Sequence, residues 1–302
     1  MGEVQGRQVS QGVRSVGTLA RYGLLALPLA FVVSLLFVPL GLMFVWSFWE
    51  RAGFWIRPAF TFSSYADFLY GVRLLVLERS LVVAATVTLA SLILAYPIAY
   101  FLGMRVRREL TRTVLLFFTV PFLVNYIIRT FSWVYLLSRT GPVNRALIAM
   151  GVTDRSVDWL LFSDFAVFVG LISSYMPFMI YPLWAALDGI DRRLVEASWL
   201  LGASPRRTFL RVTLPLSMPG VFAAVIFGFV GSFGESAVPI ILGGVGYQLM
   251  GNTITSALDV LNYPLAAAMS SVVVTTMLLF LIAWYLAFDL RSVLGKIAWW
   301  RF

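Results

Sequence analysis

Histidine and cysteine are both missing from the 302 residues of this chain. Without cysteine there is no disulfide framework and no thiolate chemistry. Without histidine there are no His-ligated zinc sites, no Ser–His or Cys–His pairs and no HExxH metalloprotease helix. Lysine occurs once, as Lys296 in Gly295-Lys296-Ile297. A phosphate-binding P-loop needs Ser or Thr after Gly-Lys, so Ile297 excludes a Walker site here. Charge of either sign is scarce, at 12% of residues. Paired acidic residues inside apolar runs are missing too, and with them the chemistry of an intramembrane aspartyl enzyme. The chain reads as a protein that catalyses no covalent step and carries no cofactor or metal of its own.

Apolar residues fill the space left by these absences. They make up 60% of the chain, far above the share in a soluble domain. Tyr22 to Trp49 is free of charge for 28 residues. That run is too long for a signal-peptide core and lacks a small-residue cleavage site, so it is read as a retained first span. Further spans are expected at about Ser80–Met104, Thr113–Ser138, Phe165–Leu187, Pro215–Leu242 and Leu265–Phe288, each of a length that crosses a bilayer as a helix. The fold expected is all-α, an integral membrane bundle of six transmembrane helices over residues 22–288. A polar tail, 1–21, precedes it. A second tail, 289–302, follows with Trp299 and Trp300 placed at headgroup level. Glu50 to Arg79 reads as a mixed loop with a surface segment at Phe60–Tyr65, and a short helix is expected around Asn144–Met150.

Six spans put both termini on one side. That side collects 15 of the Lys and Arg residues, the other side 7, with Arg129 left inside a span. The bias places both termini, and the loop that starts at Asp188, in the cytoplasm. The net charge of +9 is therefore a topology signal, and nucleic acid is not an expected partner.

The loop from Asp188 to Gly220 is the longest polar interruption between apolar runs in the C-terminal half. Asp191–Leu201 has helix formers, with apolar Leu194, Ala197 and Leu201 three and four apart. Gly202 suits a left-handed C′ position; Ser204 suits an N-cap and Pro205 the first helical position. A second short helix is expected to run to about Thr213 and stop before Pro215. Two short helices around a glycine resemble a DNA-reading helix-turn-helix, but membrane spans on both sides oppose that reading. A plain arginine-rich cytoplasmic loop is the simpler alternative.

The order of residues is more specific. Glu196-Ala197-Ser198, Gly202 six after the glutamate, and Val212-x-Leu214-Pro215 resemble the EAA loop of ABC importer permeases. Ser198 replaces Ala and Val212 replaces Ile of that family's pattern. The likeness continues through Asn125-Tyr126-Ile127-Ile128-Arg129, Gly141-Pro142-Val143-Asn144, Pro177-Phe178, Phe233-Gly234-Glu235 and Asn262-Tyr263-Pro264. These segments are similar to the spermidine/putrescine branch; related branches import ferric ions, opines, amino-acid-like amines and phosphonates. The resemblance implies half of a permease pair in a bacterial inner membrane, beside a second, paralogous permease subunit. It also implies an ATPase subunit dimer that binds ATP and Mg²⁺, and a periplasmic or extracellular substrate-binding protein. In that family the 188–214 loop is the coupling element. Glu196, Ala197, Ser198, Gly202, Arg206, Leu214 and Pro215 are then the ATPase-coupling residues.

Arg129 and Glu235 are the two charges well inside spans, where ionisable groups face a partner or a water-filled path. Counted along unbroken helices, both sit about 25 Å from the cytoplasmic surface, and they are placed to pair. A path for polyamines needs carboxylate for the ammonium groups and aromatic faces for cation–π contact. Glu235, Arg129, Phe233, Tyr126, Trp133, Tyr175 and Asn125 are the substrate-path candidates. An ion-coupled secondary transporter is the main rival, but it needs several acids at mid-membrane and the spans hold one.

Overall fold

The computed structural model describes residue 26, residues 28–53 and residues 55–287. The two tails, the tryptophans at 299 and 300, and the start of the first span at Tyr22 lie outside the described residues. Helix α1, Pro28–Trp46, is apolar on every side and none of it is buried by the rest of the chain. A helix that is hydrophobic all round needs lipid or another helix around it. Gly53, at φ 65°, turns the hairpin β1 Glu50–Ala52 and β2 Trp55–Arg57, and α2 (Ser63–Leu69) follows.

Helix α3 runs Arg73–Met104 and begins earlier than the charge pattern indicated. Leu74, Leu75, Val76 and Leu77 continue the apolar run, and Arg73 turns its guanidinium out to the Asp67 carbonyl at 3.1 Å. A long basic side chain can end a span this way. The core is a three-helix unit of α3, α7 (Asp164–Asp188) and α10 (Leu214–Phe233). Ala95 and Ala99 meet Met179, Ile180, Leu183, Val221 and Ala224, all buried. Small residues at such contacts let helix backbones approach closely where no hydrophobic effect drives association. Outward residues such as Leu89, Ile93, Phe101, Leu279 and Ile282 are exposed and form the lipid-facing surface. Buried hydroxyls such as Ser80 and Thr88 fold back on their own helix, to the Val76 and Ala84 carbonyls, which satisfies them in an apolar medium.

The all-α membrane fold agrees with the sequence reading, and five helices are long and apolar enough to cross a membrane among the described residues. The third expected span is not one helix. It divides into α4 (Arg108–Leu123) and α5 (Tyr126–Leu137), with Val124 extended at ψ 136°. The Asn125 side chain accepts from the Ile127 N–H at 2.9 Å and starts the second piece. A short polar side chain that bonds the backbone locally competes with the helix and favours a cap. The height of Arg129 counted along one continuous helix therefore does not hold. The fifth expected span also divides: α10 ends at Phe233 and α11 covers Ala237–Leu242. Between the two divided spans lie α6 (Pro142–Ala149) and α7; α12 (Met250–Asp259) and α13 (Tyr263–Ala287) complete the chain.

Helix α8, Arg192–Leu200, carries its N-cap on Asp191. Gly202 at φ 78° closes it. The Gly202 N–H donates to the Trp199 carbonyl and the Ala203 N–H to the Ser198 carbonyl, the bond pair of a Schellman turn. Ser204 then caps α9 (Pro205–Thr208), with Pro205 in its first turn. One expectation is corrected. The second short helix does not stop before Pro215; it passes through a π-helical segment, Phe209–Thr213, directly into α10. There the Leu214 N–H donates to the Phe209 carbonyl, five residues back. The wider turn accommodates a proline that has no N–H to give. The helix expected at Asp191–Leu201 is present; on it only Val195 is buried, while Leu194, Ala197 and Leu201 are exposed.

Candidate functional site

The two interruptions and α7 together line one cavity of about 440 Å³. At the first, Asn125 and Tyr126 open α5, and Arg129 follows one turn later. At the second, Glu235 sits between α10 and α11. Its Oε1 accepts from the backbone N–H groups of Ser236 at 2.9 Å, Ala237 at 2.8 Å and Val238 at 3.4 Å. A carboxylate at a helix N-terminus satisfies donors that have no partner in the helix and meets the positive end of its dipole. Its Oε2 accepts from the Tyr175 hydroxyl at 2.6 Å. Glu235 is 8% exposed, so this buried carboxylate is held from two sides, by α11 and by α7.

Two glycines make room for that arrangement. A Cβ at Gly231 would collide with the Tyr175 ring, and one at Gly251 would collide with the Glu235 carbonyl. The Arg129 guanidinium lies over the Tyr126 ring at 5.5 Å, a cation–π distance. The Tyr126 hydroxyl is near Glu235 and Ser174. It is buried and meets neither of them at hydrogen-bond distance and angle.

Five of the substrate-path candidates, Asn125, Tyr126, Arg129, Tyr175 and Glu235, line this one cavity. The other two lie elsewhere. Trp133 donates its indole N–H to Ser173 Oγ at 2.9 Å and packs beside α7. Phe233 is 1% exposed and stacks on Phe229 with ring centroids 5.7 Å apart. Ser174 and Phe178 also line the cavity and were not among the substrate-path candidates. They stand four apart on α7 and flank Tyr175, so one helical face carries all three.

The coupling candidates form a second group around the N-terminal end of α10, the end opposite Glu235. Glu196, Ala197, Gly202, Arg206 and Pro215 are exposed, and Ser198 and Leu214 are half-buried. Leu200 and Leu201 beside them are each 89% exposed and Trp199 is 51% exposed. Ser198 is tied inward, to the Val195 carbonyl at 2.7 Å and to Thr208 at 2.8 Å. The loop thus presents an apolar edge flanked by arginines, with one carboxylate on α8 itself.

Residues 88–292 match the family model described as "Binding-protein-dependent transport system inner membrane component". The spermidine/putrescine transport system permease protein PotB of Salmonella typhimurium is 34% identical over 231 residues, covering 76% of this chain and 80% of that protein. The Haemophilus influenzae protein of the same name is 30% identical over 265 residues, covering 87% of this chain and 92% of its own length. Among solved structures, a bacterial ABC transporter involved in the import of the acidic polysaccharide alginate superposes with a TM-score of 0.70 at 16% identity. That match covers 91% of this chain and 98% of the other, a likeness of fold.

Proposed function

Since the chain belongs to the family of binding-protein-dependent transport system inner membrane components, we propose that it is a permease subunit of an ATP-driven importer of polyamines. The observation that carries the solute is the 30–34% identity, over most of the chain, to permeases named for spermidine and putrescine. The chain is a transport component and not an enzyme. In this reading ATP and Mg²⁺ belong to a separate ATPase dimer. A second permease subunit supplies the other half of the path, and an external binding protein delivers the solute. Both termini and the Asp188–Leu214 loop are cytoplasmic in this reading, the side that the arginine bias favours.

The exposed apolar edge at Trp199, Leu200 and Leu201 supports docking of that loop to the ATPase. An uncovered patch of large apolar side chains in a polar loop marks an interaction surface. Glu196, Ala197, Gly202 and Arg206 border it, and Ser198, Leu214 and Pro215 fix its shape. The cavity between the two interrupted spans lies on the translocation path. Discontinuous membrane helices place backbone ends and polar side chains where a solute passes.

The test is reconstitution of this chain with its partner permease and ATPase in liposomes, with the binding protein outside. ATP-dependent uptake of labelled putrescine and spermidine is expected. Uptake of an opine, a phosphonate or ferric ion instead would replace the solute and keep the importer. Uptake driven by an ion gradient without ATP would overturn the importer itself.

A further inference from the structure

We propose that the cavity between the two interrupted spans is a station for a single primary ammonium group. Its ligands are Glu235 Oε2, the Tyr175 hydroxyl and the Tyr126 hydroxyl; the proposal rests on the polyamine reading above and specifies how the path recognises its solute. A primary ammonium carries three donors and no acceptor. The cavity offers three oxygens near one another: the Glu235 carboxylate, the Tyr175 hydroxyl bonded to it at 2.6 Å, and the Tyr126 hydroxyl close to Glu235.

The state of each oxygen favours such a guest. Glu235 Oε1 is saturated by three backbone N–H groups, whereas Oε2 accepts from Tyr175 and, as a carboxylate oxygen, has a further lone pair. The Tyr126 hydroxyl is buried without a hydrogen bond. A buried polar atom left in that state is costly, and an ammonium hydrogen removes the cost. Tyr175 donates its proton to Oε2 and has acceptor capacity left. The rings of Tyr126, Tyr175 and Phe178 line the same cavity and supply faces that attract a cation.

Arg129 sets the count. Its guanidinium lies over the Tyr126 ring at 5.5 Å and lines the same cavity. A second ammonium close by would be repelled by that charge, and in a site of low dielectric the repulsion is larger than in water. A diamine therefore enters one end at a time, with its chain directed away from Arg129.

The experiment uses the full transporter in liposomes, with labelled putrescine as probe, and three variants. Glu235→Gln keeps the Oε1 acceptor that caps α11 and removes the charge. Tyr126→Phe removes the orphaned hydroxyl, and Tyr175→Phe removes the bond to Oε2. Uptake is expected to fall tenfold or more in Glu235→Gln and severalfold in Tyr126→Phe, with the affinity of the separate binding protein unchanged. The melting temperature of Tyr126→Phe is expected to stay level or rise, since an unsatisfied buried hydroxyl has gone. Wild-type uptake in Glu235→Gln and Tyr126→Phe would overturn the station while leaving the importer reading intact. So would a fall in the melting temperature of Tyr126→Phe that accounts for its lost uptake, because the hydroxyl would then be structural. If Glu235→Gln fails to fold, the two tyrosine variants decide the question. If the unaltered transporter takes up another solute and no polyamine, both readings fall together.

Discussion

Ser198 Oγ and Thr208 Oγ1 stand 2.8 Å apart and join α8 to α9 across the Gly202 turn. Ser198 already gives its only hydroxyl proton to the Val195 carbonyl at 2.7 Å, so Thr208 is the donor in the pair. Thr208 is 4% exposed. The serine is one of the two departures from the Glu-Ala-Ala pattern, and here it supplies a bond that alanine cannot.

The two partners are therefore unequal. Ser198→Ala leaves a buried threonine hydroxyl without its acceptor, at a cost of about 1–2 kcal/mol. Thr208→Val removes the donor as well, and Ser198 stays satisfied by Val195. Thermal unfolding should be lowered more by Ser198→Ala than by Thr208→Val, and amide exchange across residues 192–208 should quicken with it. The reverse order would show that the pair is incidental to the loop.

Gly202 tests the turn itself. At φ 78°, with nothing within 4 Å of the position a Cβ would take, the penalty for a side chain is conformational and not steric. That penalty is about 1–2 kcal/mol for an L-residue in the left-handed region and least for Asn. Gly202→Val and Gly202→Asp are expected to lower uptake and transport-linked ATP hydrolysis together, the aspartate also adding a charge at the turn, while the chain still inserts. Gly202→Asn is expected to retain most of both. Equal activity in all three, assayed in liposomes, would remove the turn from the coupling role.

Gly251 is the opposite case, where space and not conformation decides. A Cβ there collides with the backbone carbonyl of Glu235, which cannot move without pulling α11 away from its cap. Gly251→Ala is expected to destabilise the protein by about 1–3 kcal/mol and to lower uptake. Gly41→Ala, where a Cβ meets nothing, serves as the control without a clash and is expected to hold or raise the melting temperature. Matching melting temperatures for the two variants would mean that the close approach of α12 to the Glu235 break is not rigid.

Much of this was legible in the sequence, for reasons that differ by element. Asp191, Gly202, Ser204 and Pro205 each do what their side chains favour locally, because caps and left-handed turns are decided within a few residues. The two interruptions were not legible as breaks. Asn125 and Gly234-Glu235-Ser236 sit inside apolar runs whose composition is that of a span, and hydropathy averages over a break. Five of seven path candidates converge because intramembrane polar groups seek one another. Trp133 and Phe233 do not, since an aromatic ring packs into a core as readily as it lines a path. The stripe of Leu194, Ala197 and Leu201 has helical spacing, yet periodicity gives a face without saying what covers it.

A partner surface is expected to cover the exposed edge beside that stripe. Leu200 and Leu201 are 89% exposed, so they contribute almost nothing to the stability of this chain alone. Replacing both with Gln should leave the melting temperature of the permease unchanged, as surface substitutions stay within about 0.5 kcal/mol. If the pair enters a groove on the ATPase, each acts as an apolar anchor, and losing one such anchor costs about 2 kcal/mol of association. That corresponds to a Kd weakened by about 30-fold for each anchor lost, and by more in the double variant. Co-purification of the ATPase with the double variant, followed by a titration in detergent, separates the cases. A stable permease that no longer holds the ATPase places the docking surface on this edge. An undiminished affinity would move it elsewhere, to the arginine-bearing side of the loop at Arg206 and Arg211. The same titration at raised ionic strength would then reveal that side, because a charged contact weakens with salt and an apolar one does not.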